Sequence, residues 1–310
     1  MNAREIKQAV VKVNEANLRR DIFHLSKDPL PYRKLNSTRP GQQITTLDEA
    51  DAFITGQLES CGYTVEREPV QVQAFRCDES KPRHHLYSEP EPSDPWYTAH
   101  NLYAKKRGVS RPDEFIYLLA HKDSPSWIDC PGAYDNAVGT AGNLEIARLL
   151  AGVETARSIW FLFCNEEHHP WTSVTAAENA KARGDDVVAA FNTDSIGGKS
   201  QADVDAGRHT NVSAYTTPEG KRLAELMVRV NDEYEVGLVQ SIYEREAPGD
   251  DDGSFVNAGY PAAIINLGSF PFAEPNYHEA GDTADRVDVP NVRKTMQAIL
   301  AAVLTLDSEL

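Results

Sequence analysis

The sequence predicts an α/β fold: a doubly wound, mostly parallel central sheet with helices on both faces. Two observations carry this expectation. Short apolar runs alternate with helical segments along the chain, the pattern of strands buried on both faces of a parallel sheet. Four of these runs end in residues of metal-ligand type, and open α/β sheets bind ligands beyond the carboxyl ends of their strands.

In chain order, residues 2 to about 25 place apolar and charged positions at helical spacing, which predicts one amphipathic helix. Pro29-Leu30-Pro31 and Thr38-Arg39-Pro40-Gly41 mark a loop. Thr46-Leu47-Asp48-Glu49 reads as a capping box opening a helix that runs to Cys61 and stops at Gly62. Tyr63 to Val72 reads as a strand. The stretch Cys77 to Pro95, rich in Pro, Ser, Glu and His, has no period and reads as an exposed excursion.

Phe115-Ile116-Tyr117-Leu118-Leu119-Ala120 then leads into His121-Lys122-Asp123, and Ile159-Trp160-Phe161-Leu162-Phe163 leads towards Glu166-Glu167. Val187-Val188-Ala189-Ala190-Phe191 leads into Asn192-Thr193-Asp194, and Ala262 to Leu267 precedes a loop ending in Tyr277-His278. Helices are expected after Asn136, with Val138, Ala141, Leu144, Ala147 and Leu150 on one face, and over Ser173–Arg183, Pro218–Tyr234 and Asn291–Leu306. With no internal repeat and no low-complexity linker, residues 1–310 are read as one domain. It carries an N-terminal helical extension, 1–28, and an irregular excursion, about 77–97.

Composition excludes several classes. The 310 residues are 41% hydrophobic and 25% charged, which argues against a disordered or fibrous chain. A net charge of −16, from 31 basic and 47 acidic residues, argues against nucleic acid or an anionic membrane as partner. Met1 to Gln8 is polar, the apolar stretch Ala298 to Leu306 is too short to span a bilayer, and the four cysteines show no CxxC spacing. Reduced thiols in a cytoplasm are the simplest expectation. Oligomeric state is not encoded in any of these features.

The chemistry lies in the strand-end residues. Two carboxylates ending a buried run carry a large desolvation cost unless a cation awaits them. His121, Asp135, Glu167, Asp194 and His278 form a set of imidazoles and carboxylates that suits zinc, with manganese or cobalt compatible with the same ligands. If Asp135 is shared, each of two ions receives one His, one further carboxylate and part of Asp135, leaving positions for water and substrate. Asp123, two residues after His121, can fix the imidazole tautomer. Singly, each residue has an ordinary explanation: Asp135 and Asp194 as caps or turn residues, Glu166-Glu167 as a solvated loop start. Those separate explanations must all hold together to displace the metal reading. His168-His169, His84-His85 and Asp250-Asp251-Asp252 are expected in solvent.

His121-Lys122-Asp123, Pro131-Gly132-Ala133-Tyr134-Asp135-Asn136, Asn165-Glu166-Glu167, Asn192-Thr193-Asp194 and Tyr277-His278 with Asp282-Thr283 resemble the motif set of the M28 zinc peptidases in order and rough spacing. The resemblance covers about residues 98–198 and 250–290, and more weakly 46–72. It implies a phosphorylase/hydrolase-like fold, zinc exopeptidase type, with two zinc ions. His121 and Asp194 would hold one ion, Glu167 and His278 the other, and Asp135 both. Glu166 would be the general base, and Asp123 would orient His121. The resemblance also implies a cis peptide at Asp135-Asn136. Three features depart from the family pattern: Lys122 where Tyr is common, His168-His169-Pro170-Trp171 in place of a Gly-rich turn, and Asp250-Asp251-Asp252 in place of Ser-Asp-His.

The function implied is an aminopeptidase acting on peptide or aminoacyl substrates. The alternatives are a glutaminyl cyclase-like acyl transferase with a single zinc, and a non-catalytic binding protein on the same fold.

Overall fold

Residues 1–309 are described by a computed structural model. Its elements, in order, are helices α1 (Ala3–Val10), α2 (Glu15–Ser26) and α3 (Thr46–Ser60), then strands β1 (Val65–Ala74), β2 (Arg76–Cys77), β3 (Tyr87–Ser88), β4 (Trp96–Lys106) and β5 (Arg111–His121). Next come α4 (Val138–Leu150), β6 (Arg157–Cys164), β7 (His168–His169), α5 (Thr172–Arg183), β8 (Asp186–Thr193) and α6 (Gln201–Asp205). The chain ends with β9 (Thr210–Tyr215), α7 (Pro218–Glu233), β10 (Val239–Glu244), α8 (Asp250–Asn257), β11 (Ala263–Leu267) and α9 (Val289–Ser308).

Nine strands form the main sheet in the order β10-β9-β11-β8-β5-β6-β4-β1-β7. Its centre, β11-β8-β5-β6, is parallel, and antiparallel pairs join it to its flanks. The apolar cores of β5 and β6 are buried on both faces, as continuous apolar runs require. Register brings the carboxyl ends level: His121 lies opposite Cys164, Leu119 opposite Asn192, and Asn266 opposite Thr193. The strand-end residues of four separate segments therefore meet along one edge.

α4 starts at this edge. Gly139 is in close contact with β8, where a Cβ would run into the Thr193 carbonyl, so only glycine lets the helix begin so near the strand end. On the same face, α1, α2, α4 and α9 share a core containing Ile6, Val10, Leu18, Ile22, Leu144, Ile299 and Leu300. No described helix is long and apolar enough to cross a membrane.

Several local expectations are corrected. The single helix expected over residues 2–25 is two helices, because Asn14 caps a new start by accepting from the N–H groups of Ala16 and Asn17. The capping box of α3 is formed by Thr45 and Asp48; Thr46 instead bonds both backbone groups of Lys34. The stretch from Cys77 to Pro95 is closed at its base by the β2–β3 ribbon, where Arg76 faces Ser88 and Cys77 faces Tyr87. Asp250-Asp251-Asp252, expected in a solvated loop, opens the helix Asp250–Asn257, with Asp251 and Asp252 buried. There Arg245 pairs with Asp250 and Asp252, and the Cys164 thiol donates to Asp251. The cysteines are free, with Cys130 and Cys164 buried, Cys61 half-buried and Cys77 exposed.

Candidate metal centre

β5 delivers His121 and the turn after β6 delivers Glu166 and Glu167. Asp194 follows β8, and the loop after β11 ends in His278. Asp135 sits in an irregular turn before α4, entered through Gly132 at φ 60°, a left-handed conformation that favours glycine. The Asp135–Asn136 peptide is cis, as the resemblance implied.

All five candidate ligands are buried and converge. Ligand-type atoms of His121, Asp135 and Asp194 lie within 4.8 Å of one another, and so do those of Asp135, Glu167 and His278. Asp135 belongs to both groups. Its Oδ1 is 2.9 Å from His121 Nε2, and its Oδ2 is 2.8 Å from His278 Nε2. Asp194 Oδ1 lies 3.5 Å from His121 Nε2, and Glu167 Oε1 lies 3.3 Å from His278 Nε2.

The remaining contacts hold these groups in place. Asp123 is buried and gathers four donors. It lies 3.2 Å from His121 Nδ1 and 2.8 Å from His168 Nδ1, and it accepts the backbone N–H groups of Glu166 and Glu167. His278 Nδ1 donates to the backbone carbonyl of His84, 2.8 Å away. In both imidazoles Nδ1 is engaged outside the cluster, so that Nε2 faces inward. Asp282 accepts from the N–H groups of Tyr134 and Asp135, and Asn136 donates to the Thr193 carbonyl. His278 itself adopts φ 55°, a left-handed backbone that costs of order 1 kcal/mol outside glycine.

The electrostatics point to missing positive charge. Burial pushes Glu166 well above the ordinary carboxylate value, with Asp251 and Asp250 adding to it. Burial, then Asp135, lifts Glu167 to about 7 and Asp194 to about 6. Burial opposes protonation of His121 and His278. Asp194 in the first case and Glu167 in the second lead the carboxylates that outweigh it and hold both pKa values well above 6.5. Two imidazoles cannot balance this many buried carboxylates. Asp135 Oδ2 is buried without a hydrogen-bond partner although His278 Nε2 lies 2.8 Å away. Oxygen and imidazole donors aimed at one another in this way fit divalent cations of the zinc, manganese or cobalt type.

Other neighbours were not anticipated from the sequence. His168, expected in solvent, is fully buried between Asp123 and the N–H of Leu35. His84, expected in solvent, is half-buried and bonds the Tyr277 carbonyl. Arg33 is buried and meets no carboxylate; it donates to the carbonyls of Lys122, Pro131 and Gly132, on the two loops that carry His121 and Asp135. Lys122 is buried 2.7 Å from Asp51 and donates to Asn165. The Tyr87 phenol, lifted to about 12 by burial and then by Glu167, stays protonated at neutral pH.

The model of peptidase family M28 matches residues 101–303, more than half of the chain. The chain belongs to peptidase family M28. Among curated relatives, leucine aminopeptidase 1 of Sclerotinia sclerotiorum is 26% identical over 206 residues, 62% of this chain and 52% of its own length. A probable aminopeptidase of Saccharomyces cerevisiae is 24% identical over 224 residues, 67% of this chain and 58% of its own. The chain spans about half the length of the curated relatives it matches.

Solved structures share the fold. An aminopeptidase from Aneurinibacillus sp. strain AM-1 superposes with TM-score 0.71 at 17% identity, covering 96% of this chain and 95% of that one. The glutaminyl cyclase of Bacteroides thetaiotaomicron superposes equally well, TM-score 0.71 at 16% identity, covering 96% and 98%. Beside the centre, His168 binds Asp123, and Lys122 pairs with Asp51 from α3.

Proposed function

We propose that this chain is a metal-dependent aminopeptidase that removes N-terminal residues from peptides. In this reading, His121 and Asp194 hold one zinc ion, Glu167 and His278 hold a second, and Asp135 bridges them. The observation that carries it is Asp135, whose two oxygens each face the Nε2 of a different, separately anchored imidazole. Residues 1–310 are taken as one peptidase domain, supported by the shared core of α1, α2, α4 and α9.

Bound zinc supplies Lewis acidity and brings the pKa of water towards about 7. The chain supplies the rest. Glu166 is the proposed general base: its Oε2 is buried with no partner of its own, and its raised pKa suits a group that takes a proton and returns it. The proton taken from the attacking water passes through Glu166 to the leaving nitrogen. Asp123 fixes this geometry by binding the backbone N–H of Glu166 and the ring of His121 together. The carboxylates around Asp194, with Asp250 nearby, supply the negative potential that a substrate ammonium requires.

The likeness in fold to a glutaminyl cyclase keeps a single-zinc acyl transferase as the rival. A second complete group of ligand-type residues favours the hydrolase. Zinc-loaded protein should release leucine from Leu-amide and leave Gln-Phe-amide uncyclised. Cyclisation without hydrolysis would reverse the assignment.

A further inference from the structure

The two segments where the chain departs from a plain sheet, the Cys77–Pro95 excursion and the His168–Trp171 turn, face each other across a cleft of about 460 Å³. Phe75, Tyr87, His169, Pro170, Trp171 and Val174 line it, with Lys81 and Glu89 also present. The wall is aromatic, and Tyr87 and Trp127 connect it to the His278 ring. Phase by phase along it, the Phe75 ring stands 5.8 Å from His169 and 5.2 Å from Tyr87, and Tyr87 stands 6.1 Å from His278. His169 follows Glu167 by two residues and the Tyr87 ring lies against His278, so the cleft adjoins the Glu167–His278 half of the centre. Val174, on α5, is 38% exposed and lines the cleft.

We infer that this cleft binds the apolar side chain of the substrate's second residue, the one released with the new N-terminus. The inference rests on the aminopeptidase reading and adds a specificity to it. Direction along the substrate follows from charge. Asp251 lies 3.0 Å from Cys164, which faces His121 across β5 and β6, so the acidic start of α8 flanks the His121–Asp194 side of the centre. The substrate ammonium is drawn to that side, and the chain beyond the scissile bond leaves over Glu167 and His278. Its first side chain then meets Tyr87, Phe75 and Trp171. An apolar wall rewards an aromatic or branched side chain there and gives nothing to glycine.

The test compares Leu-Phe-amide with Leu-Gly-amide on the zinc-loaded protein, scoring only the first cleavage. Wild type should favour Leu-Phe-amide in kcat/KM by on the order of ten-fold or more. That ratio should fall towards unity in Trp171→Ala and in Val174→Glu. Because both substrates are measured on the same variant, partial loss of folded protein cancels. A wild-type ratio near unity, or a ratio unchanged in both variants, overturns the subsite. If wild type turns over neither peptide, calorimetry on zinc-loaded Glu166→Gln decides. Tighter binding of Leu-Phe-amide keeps the subsite and removes the peptidase reading, whereas equal affinities remove the subsite.

Discussion

The backbone carbonyl of His84 accepts the Nδ1 proton of His278 at 2.8 Å, across 194 positions of sequence. A segment that reads as a solvated excursion therefore orients a candidate metal ligand. Arg83 pairs with Glu279, and His84 Nδ1 bonds the Tyr277 carbonyl, so the contact is held from both sides. Replacing residues 79–85 with an Asn-Gly turn should weaken one of the two zinc sites by about 10–100-fold, the usual cost of losing a ligand's orienting partner. Competition with a chelating dye measures this. Unchanged affinity at both sites would show that the carbonyl is dispensable.

Glu166→Gln removes the base and keeps the shape. Turnover should fall by on the order of 10²-fold or more, while bound zinc per chain stays at the wild-type level. Full activity in this variant would remove Glu166 from the mechanism.

Asp123→Ala strands four donors inside the protein: the rings of His121 and His168 and the N–H groups of Glu166 and Glu167. Each buried group left without a partner costs roughly 1–3 kcal/mol. The variant should melt several degrees lower and lose zinc together with stability. A wild-type melting curve would contradict the network.

Arg33→Met should loosen the loops that carry His121 and Asp135, because the carbonyls of Lys122, Pro131 and Gly132 lose their common donor. The expected result is weaker zinc binding with the Glu166-dependent chemistry otherwise intact. Measured at saturating zinc, kcat should recover most of its wild-type value; failure to recover would mark Arg33 as structural in a broader sense.

The sign of the pH dependence follows from the raised groups. Folded-state pKa values of about 6 for Asp194 and about 7 for Glu167 lie above the ordinary carboxylate value of about 4. Their contribution to stability is present below about pH 4 and is lost as pH rises through about 6 and 7. His121 and His278 are raised too, so theirs is present below about pH 6.5 and lost above it. Asp123 and Asp135 are held below the carboxylate range, against burial, by the neighbouring imidazoles, and titrate outside this window. Metal-stripped protein should therefore melt at a lower temperature at pH 8 than at pH 5. Added zinc should raise the melting point more at pH 8, because its ligands must be deprotonated. A metal-stripped protein that gains stability over this range would contradict the charge account.

Much of this was legible in the residues because it depends on local pattern. Apolar runs ending in His121, Glu167 and Asp194 announce both the strands and the sheet edge where they meet. What the sequence hid depends on contacts between distant segments. Arg33 looks like an ordinary loop arginine until its carbonyl partners fold around it. His168 reads as polar and exposed, and its burial is tolerable because Asp123 and the N–H of Leu35 satisfy its two nitrogens. β9 and β10 have alternating or mixed composition and gave no continuous apolar signal. Asp251 and Asp252 read as solvated because the sequence does not reveal that Arg245 and Cys164 lie against them.

The central claim is a pair of ions bridged by Asp135. Counting zinc in purified, zinc-saturated protein by elemental analysis, beside Asp135→Asn, tests it most directly. The account predicts two ions per wild-type chain and a large loss at both sites in the variant. One ion per chain, or an Asp135→Asn protein that keeps its full complement, would contradict it.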